Sequence, residues 1–129
     1  MTGVQTCALP IYFLESGSVQ NLVDAMARRF PGGRLVYDAE SPEMVAMSEQ
    51  AVRDRGIDAA PMPFRVADPC GAHTWSSHVS QIRVNFDLSS YATDPSALPG
   101  QVLDGFAQVR ESRALYEVIA DFAVAGEPR

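Results

Sequence analysis

No stretch of this sequence stays apolar for the ~20 residues that a membrane-spanning helix requires, and its start lacks the basic region and long apolar run of a secretory signal. A cytoplasmic protein without a membrane partner is therefore expected. Cysteine is nearly absent: Cys7 and Cys70 are too few for a disulfide framework, and no redox chemistry is read from them. Positive charge is scarce as well. Ten Lys and Arg stand against sixteen Asp and Glu, a formal net charge of -6, which repels a phosphate backbone unless basic residues are concentrated locally. Their one cluster, Arg28 with Arg29, falls at the end of a predicted helix, where the macrodipole favours cations, so no nucleic-acid partner is expected. A Gly-rich phosphate loop, a G-x-S-x-G elbow and an H-E-x-x-H motif are all missing, which leaves hydrolase and nucleotide-fold readings with little support. Gly32-Gly33 does not replace the first of these, because it precedes a predicted strand where a nucleotide loop would follow one.

What is present suffices for one modest domain. The chain has 129 residues, 47% hydrophobic and 20% charged, an ordinary balance for a globular protein with a core. Residues 1–11, MTGVQTCALPI, have neither a helical nor a strand period. They resemble a translated sequencing adapter, so the domain is taken as residues 12–129. Tyr12, Phe13 and Leu14 then read as the stub of an apolar strand, and Ser18 as the N-cap of a helix. Val19, Leu22, Val23, Met26 and Phe30 fall on one face of that helix, and Pro31-Gly32-Gly33 stops it. Leu35-Val36-Tyr37 is a short continuous apolar run of the kind a strand buried on both faces requires.

A second helix follows, with Ser41 as N-cap, Pro42 in the first helical position and Gly56 as its stop. Met44, Val45, Met47, Ser48, Ala51 and Val52 form its predicted buried stripe, read as core rather than a ligand box. The Pro-rich stretch 58–71 predicts an irregular connection holding at most the short strand Phe64-Arg65-Val66. Ile82, Val84, Phe86 and Leu88 alternate with Arg83, Asn85 and Asp87, the pattern of a strand with one wet face. Residues 98–112 suit a helix with Val102, Phe106 and Val109 inward. Tyr116, Val118, Ala120, Phe122 and Val124 alternate again. The pattern predicts an α/β fold whose sheet is parallel inside, with an antiparallel pair at its edge.

The stretch 30–42, FPGGRLVYDAESP, with the amphipathic helix before it and Met44-Val45-Ala46-Met47-Ser48 after it, resembles the leucine carboxyl methyltransferase family. Within that family it is most similar to bacterial O-methyltransferases associated with polyketide biosynthesis. Val66-Ala67-Asp68-Pro69 followed by Trp75 adds to the resemblance, which is dense over residues 22–75 and weak after Leu88. It implies the C-terminal half of a Rossmann-like class I methyltransferase sheet, with Tyr12-Phe13-Leu14 ending the fourth strand and Leu35-Val36-Tyr37 forming the fifth. It also implies methyl transfer from S-adenosylmethionine to a carboxylate or hydroxyl of a small-molecule acceptor. The family's cofactor elements, a Gly-rich loop and an acidic residue for the ribose, belong to the first strands and match nothing here. The chain alone is therefore expected to bind no cofactor, to be inactive, and to self-associate through the strand edge left exposed at Tyr12-Phe13-Leu14. The alternative is a small non-enzymatic interaction module that uses the same open edge to bind a partner.

Open α/β sheets bind ligands beyond the carboxyl ends of their strands, which selects the positions near the ends of the first two predicted strands. Tyr12, Asp38, Glu40 and Ser41 are thus the candidates for lining a cofactor or substrate cleft. Methyl transfer needs chiefly the alignment of acceptor oxygen, methyl carbon and sulfur, so no catalytic residue is assigned. Two of the candidates have plainer readings, Ser41 as an N-cap and Asp38 as a turn acid beside a helix start. Cys70, His73 and His78, with Asp68, are residue types that bind zinc, but the histidines are five apart and no second cysteine is near. No metal is expected, and Trp75 reads as a packing anchor for the loop.

Overall fold

The computed structural model describes residues 11–58 and 61–125, Tyr12 by its backbone alone. The adapter-like segment, apart from Ile11, lies outside the described residues, as does Cys7. Helix α1, Ser16–Arg29, buries Val19, Val23 and Ala27, spaced four apart on one face. It starts before the expected Ser18: Glu15 occupies the N-cap, with extended backbone and no side-chain cap bond. Ser16 lies in the first turn, and its hydroxyl faces the Pro63 carbonyl at 3.5 Å, a long contact to the irregular connection that caps no helix amide. Phe30, expected inward, is 36% exposed, because the chain leaves the helix there. Gly32, at φ +73, makes the turn that follows. A Cβ on Gly33 would stand 2.9 Å from the Phe30 carbonyl oxygen, so glycine is needed there for close approach.

Strand β1, Arg34–Glu40, leads into helix α2, Pro42–Asp54. The expected start is observed: Ser41 accepts from the Met44 amide at 3.2 Å, Pro42 opens the helix, and Gly56 at φ +82 follows its end. Substituting Ser41→Ala is expected to lower stability by about 1 kcal/mol, the usual cost of losing such a cap, read from the shift in the urea midpoint. The buried stripe of α2 is narrower than expected. Val45 is fully buried, but Met47 is 66% exposed and Ala51 is also exposed. The stretch Phe64-Arg65-Val66 forms no strand, yet Phe64 and Val66 are buried and Arg65 points out to pair with Glu49 of α2.

Strand β2, Val79–Asn85, helix α3, Gly100–Ser112, and strand β3, Leu115–Phe122, complete the fold. The expected antiparallel pair is present, with Val84 opposite Val118 and Ile82 opposite Ala120. β3 alternates strictly, burying Tyr116, Val118, Ala120 and Phe122; Val124 lies past its end and is 53% exposed. Helix α3 has no fully buried residue, and Val102, expected inward, is exposed.

The sheet order is β1-β3-β2, and both pairings are antiparallel. The described residues therefore form a mixed α/β structure, three α-helices with a three-stranded antiparallel sheet. The expected parallel neighbour of β1 is not among them. β1 and β2 run the same way but are held apart by β3, which fills the one-strand gap left by the connection through α2. Tyr12, Phe13 and Leu14 do not form a strand either. Ile11–Phe13 is a short 3-10 turn, closed when the Leu14 amide donates to the Ile11 carbonyl at 3.1 Å, so a local bond replaces a sheet ladder.

β1 is not buried on both faces. Leu35, Tyr37 and Ala39 face the core with Ala120, Val118 and Tyr116 opposite them, whereas Val36 on the other face is 50% exposed. The core lies on the first face, where Val19, Val23 and Ala27 of α1 meet Phe64, Val66, Val79, Ala120 and Phe122, with Trp75 packed against them. That contact bears out Trp75 as an anchor. The opposite face carries Arg34, Val36, Asp38, Glu117, Ile119 and Arg83 and is solvent-facing. There Asp121 accepts from Arg34 of β1 at 2.6 Å and from Arg83 of β2 at 3.3 Å, so one carboxylate links all three strands. Arg34, beside it, holds the Asp121 carboxyl below its usual range.

Candidate functional site

A cleft of about 300 Å³ opens at the carboxyl end of β1. Its walls come from three segments that the fold brings together. Ser41 and Glu43 stand at the head of α2, Val66 and Pro69 on the irregular connection, and Arg113 and Tyr116 where α3 turns into β3. The Ser41 amide donates to the Ala114 carbonyl at 2.8 Å, which ties the head of α2 to the start of β3. Across the floor, the buried Tyr116 hydroxyl donates to the Val66 carbonyl at 3.4 Å and holds the connection down. Burial, first of all, pushes the Tyr116 phenol up to about 12, so it stays a neutral donor at any physiological pH.

Arg113 is the least ordinary residue of the cleft. Its backbone is left-handed, φ 54 and ψ 31, at a helix end where glycine is the usual occupant. For a side chain with a Cβ that conformation costs on the order of 1 kcal/mol. The guanidinium lies 4.2 Å from the centre of the Phe86 ring, a cation-π contact that offsets part of the cost. The strained turn brings Arg113 to the wall of a cleft that Glu43 also lines. Such a lining can orient a small polar or anionic molecule, while Tyr116 and Val66 provide an apolar floor.

Of the three residues selected from sequence whose side chains are described, one lines this cleft. Ser41 does so, and it caps α2 at the same time. Asp38 is exposed on the open face of β1, opposite Glu117, because alternation along the strand turns it away from the cleft. Glu40 is half-buried and accepts from the Ser48 hydroxyl at 3.2 Å, so α2 engages it outside the cleft. The backbone of Tyr12 lies in the 3-10 turn, and its side chain is outside the described residues. Sequence reasoning missed Arg113 and Tyr116. The available signal was the absence of a glycine after the third helix, which forces another residue into the left-handed cap.

Glu40 has a measurable consequence of its own. Burial pushes its carboxyl above 4.5 and Asp38 adds to this, while the Ser48 bond opposes it. A raised folded value means that the fold favours the protonated form, so the charge weakens the fold as pH rises through and above that window. Glu40→Gln keeps an acceptor for Ser48 and removes the charge. It is expected to stabilise the protein at neutral pH by roughly 0.5 kcal/mol or less, with the gain vanishing well below pH 4.5. Thermal melts at the two pH values read this out.

Elsewhere the described residues offer little chemistry. No three His, Cys, Asp or Glu among them are grouped to hold a metal ion. Asp68 instead accepts from the Cys70 amide at 3.0 Å in a local turn. Arg28 pairs with Asp24 at 2.8 Å and Arg29 lies over the Phe30 ring, as expected of a solvated helix end. No helix among the described residues is long and apolar enough to cross a membrane. No family model, curated protein or solved structure matches this chain.

Proposed function

We propose that residues 12–129 are the C-terminal half of an S-adenosylmethionine-dependent O-methyltransferase domain of the leucine carboxyl methyltransferase type. The intact cytoplasmic enzyme would methylate a carboxylate or hydroxyl of a small molecule, of the kind found in polyketide biosynthesis, and the chain alone transfers no methyl group. One observation carries this reading: the cleft lies at the carboxyl end of β1, and the outer edge of that same strand has no partner among the described residues. A sheet that continued past β1 would give the cleft its second wall at the place where open α/β sheets bind their ligands. The antiparallel pairing of β2 with β3 agrees with the edge pair that the resemblance implies, and the solvent-facing second face has room for further helices.

The residues present do not by themselves fit S-adenosylmethionine. The segment leaving β1, Asp38-Ala39-Glu40-Ser41-Pro42, has no glycine to let the backbone approach a ligand closely, and Ser41 is committed to its cap. Cofactor contacts therefore belong to an upstream half, and what this chain contributes is the acceptor side of the cleft, with Arg113, Glu43 and Tyr116. The interaction-module alternative, whose expected edge at Tyr12-Phe13-Leu14 forms no strand, would have to use the open edge of β1 instead. Sequencing the source DNA upstream of the codon for Tyr12 separates the two. An in-frame extension encoding a Gly-rich loop and an acidic strand end is the expected result, whereas a genuinely encoded MTGVQTCALPI would overturn the methyltransferase reading and favour the module.

A further inference from the structure

We infer that this chain, as it stands, closes its open edge by pairing β1 with β1 of a second copy, antiparallel and centred on Val36. The inference rests on the proposed reading of β1 as an interior strand without its outer neighbour. The Phe122 amide donates to Gly33 and the Ser41 amide donates to Ala114, so odd-numbered positions of β1 direct their backbone groups toward β3. Arg34, Val36 and Asp38 consequently turn theirs outward. A two-fold antiparallel pairing about Val36 joins these outward groups in about six new backbone hydrogen bonds.

The side chains select this register. It sets Arg34 against Asp38 of the other copy, Leu35 against Tyr37, and Val36 against Val36, so each pair is either oppositely charged or apolar. The exposed Val36 would then be covered by its counterpart. A parallel in-register pairing would place Arg34 on Arg34 and Asp38 on Asp38, which is repulsive. Moving the antiparallel centre to Tyr37 would set Val36 against Asp38. Nothing along β1 blunts its edge with proline, and the whole sequence contains no lysine. Growth stops at two because the pairing is isologous and β2, at the other edge, is broken by a bulge between Val79 and Gln81.

Sedimentation of the purified full chain tests the inference without any cofactor. Wild type is expected at twice the chain mass and Val36→Lys at the chain mass, with unchanged circular dichroism confirming that the variant folds. The register is tested by Asp38→Arg and Arg34→Asp, each expected to be monomeric alone because like charges then face each other, and to dimerise when the two are mixed. A monomeric or polydisperse wild type, a dimeric Val36→Lys variant, or variants that dimerise singly but not together would overturn the inference. The upstream DNA decides the methyltransferase reading separately, so either idea can fail while the other stands.

Discussion

Phe64→Ala is expected to lower the unfolding free energy by about 3–5 kcal/mol, a large share of what a domain of this size possesses. Phe64 is 2% exposed and meets the edge of Trp75 with ring centres 6.2 Å apart. It packs in the same cluster as Val19 and Val23 of α1 and Ala120 and Phe122 of β3. The connection around it forms no sheet ladder, so side-chain burial is the main force holding that segment against the core. Truncating the ring would leave a cavity that a Pro-flanked segment cannot readily collapse into. Urea unfolding followed by Trp75 fluorescence is the measurement, and a loss below about 1 kcal/mol, the size of an ordinary surface substitution, would refute this account of the core.

Tyr37→Phe is expected to act in the opposite sense, raising stability by about 1 kcal/mol or more. The Tyr37 hydroxyl is buried and has no hydrogen-bond partner among the described residues, although its ring packs usefully against Tyr116 and Val118. Burial drives its ionisation well above the ordinary phenol range, with Tyr116 and then Cys70 contributing. The fold therefore favours the protonated phenol, and wild type is expected to lose stability as pH rises above 10.0. The phenylalanine variant should lose less over that range, because one of its two buried phenols is gone. A lower melting temperature for Tyr37→Phe would mean that the hydroxyl has found a partner after all. Tyr116→Phe is the control: its hydroxyl does bond, to Val66, so the same atom deletion should not stabilise.

The parts of the fold that were legible in sequence are those governed by local chemistry. Ser41, Pro42 and Gly56 bracket α2 because a cap acceptor, a missing amide and a residue free to take positive φ act within a few positions. The alternation of β3 was legible because one covered face imposes a period of two. The burial of β1 was not, since a short apolar run reads the same whether one face or both are covered, and only tertiary placement shows that Val36 is wet. The position of β3 between β1 and β2 depends on strand order, which periodicity does not encode. The same gap hides part of the cleft's lining. The rule that ligands gather past the strand's carboxyl end found Ser41, but Arg113 and Tyr116 arrive from residues more than seventy positions downstream of β1.

The strand order also has a consequence for how the molecule is made. β1 and β2 never touch through backbone bonds, since each pairs only with β3, and β3 is the last of the three to leave the ribosome. Until Leu115–Phe122 has been synthesised, β1 and β2 have no strand to pair with among the described residues, and the helices have only partial surfaces to dock against. Folding of the sheet thereby waits for its last strand, and it proceeds through contacts between segments far apart in the chain, the kind that form slowly. A nascent chain stalled at Arg113 would carry β1 and β2 without the strand that joins them, and would be the species most dependent on chaperones.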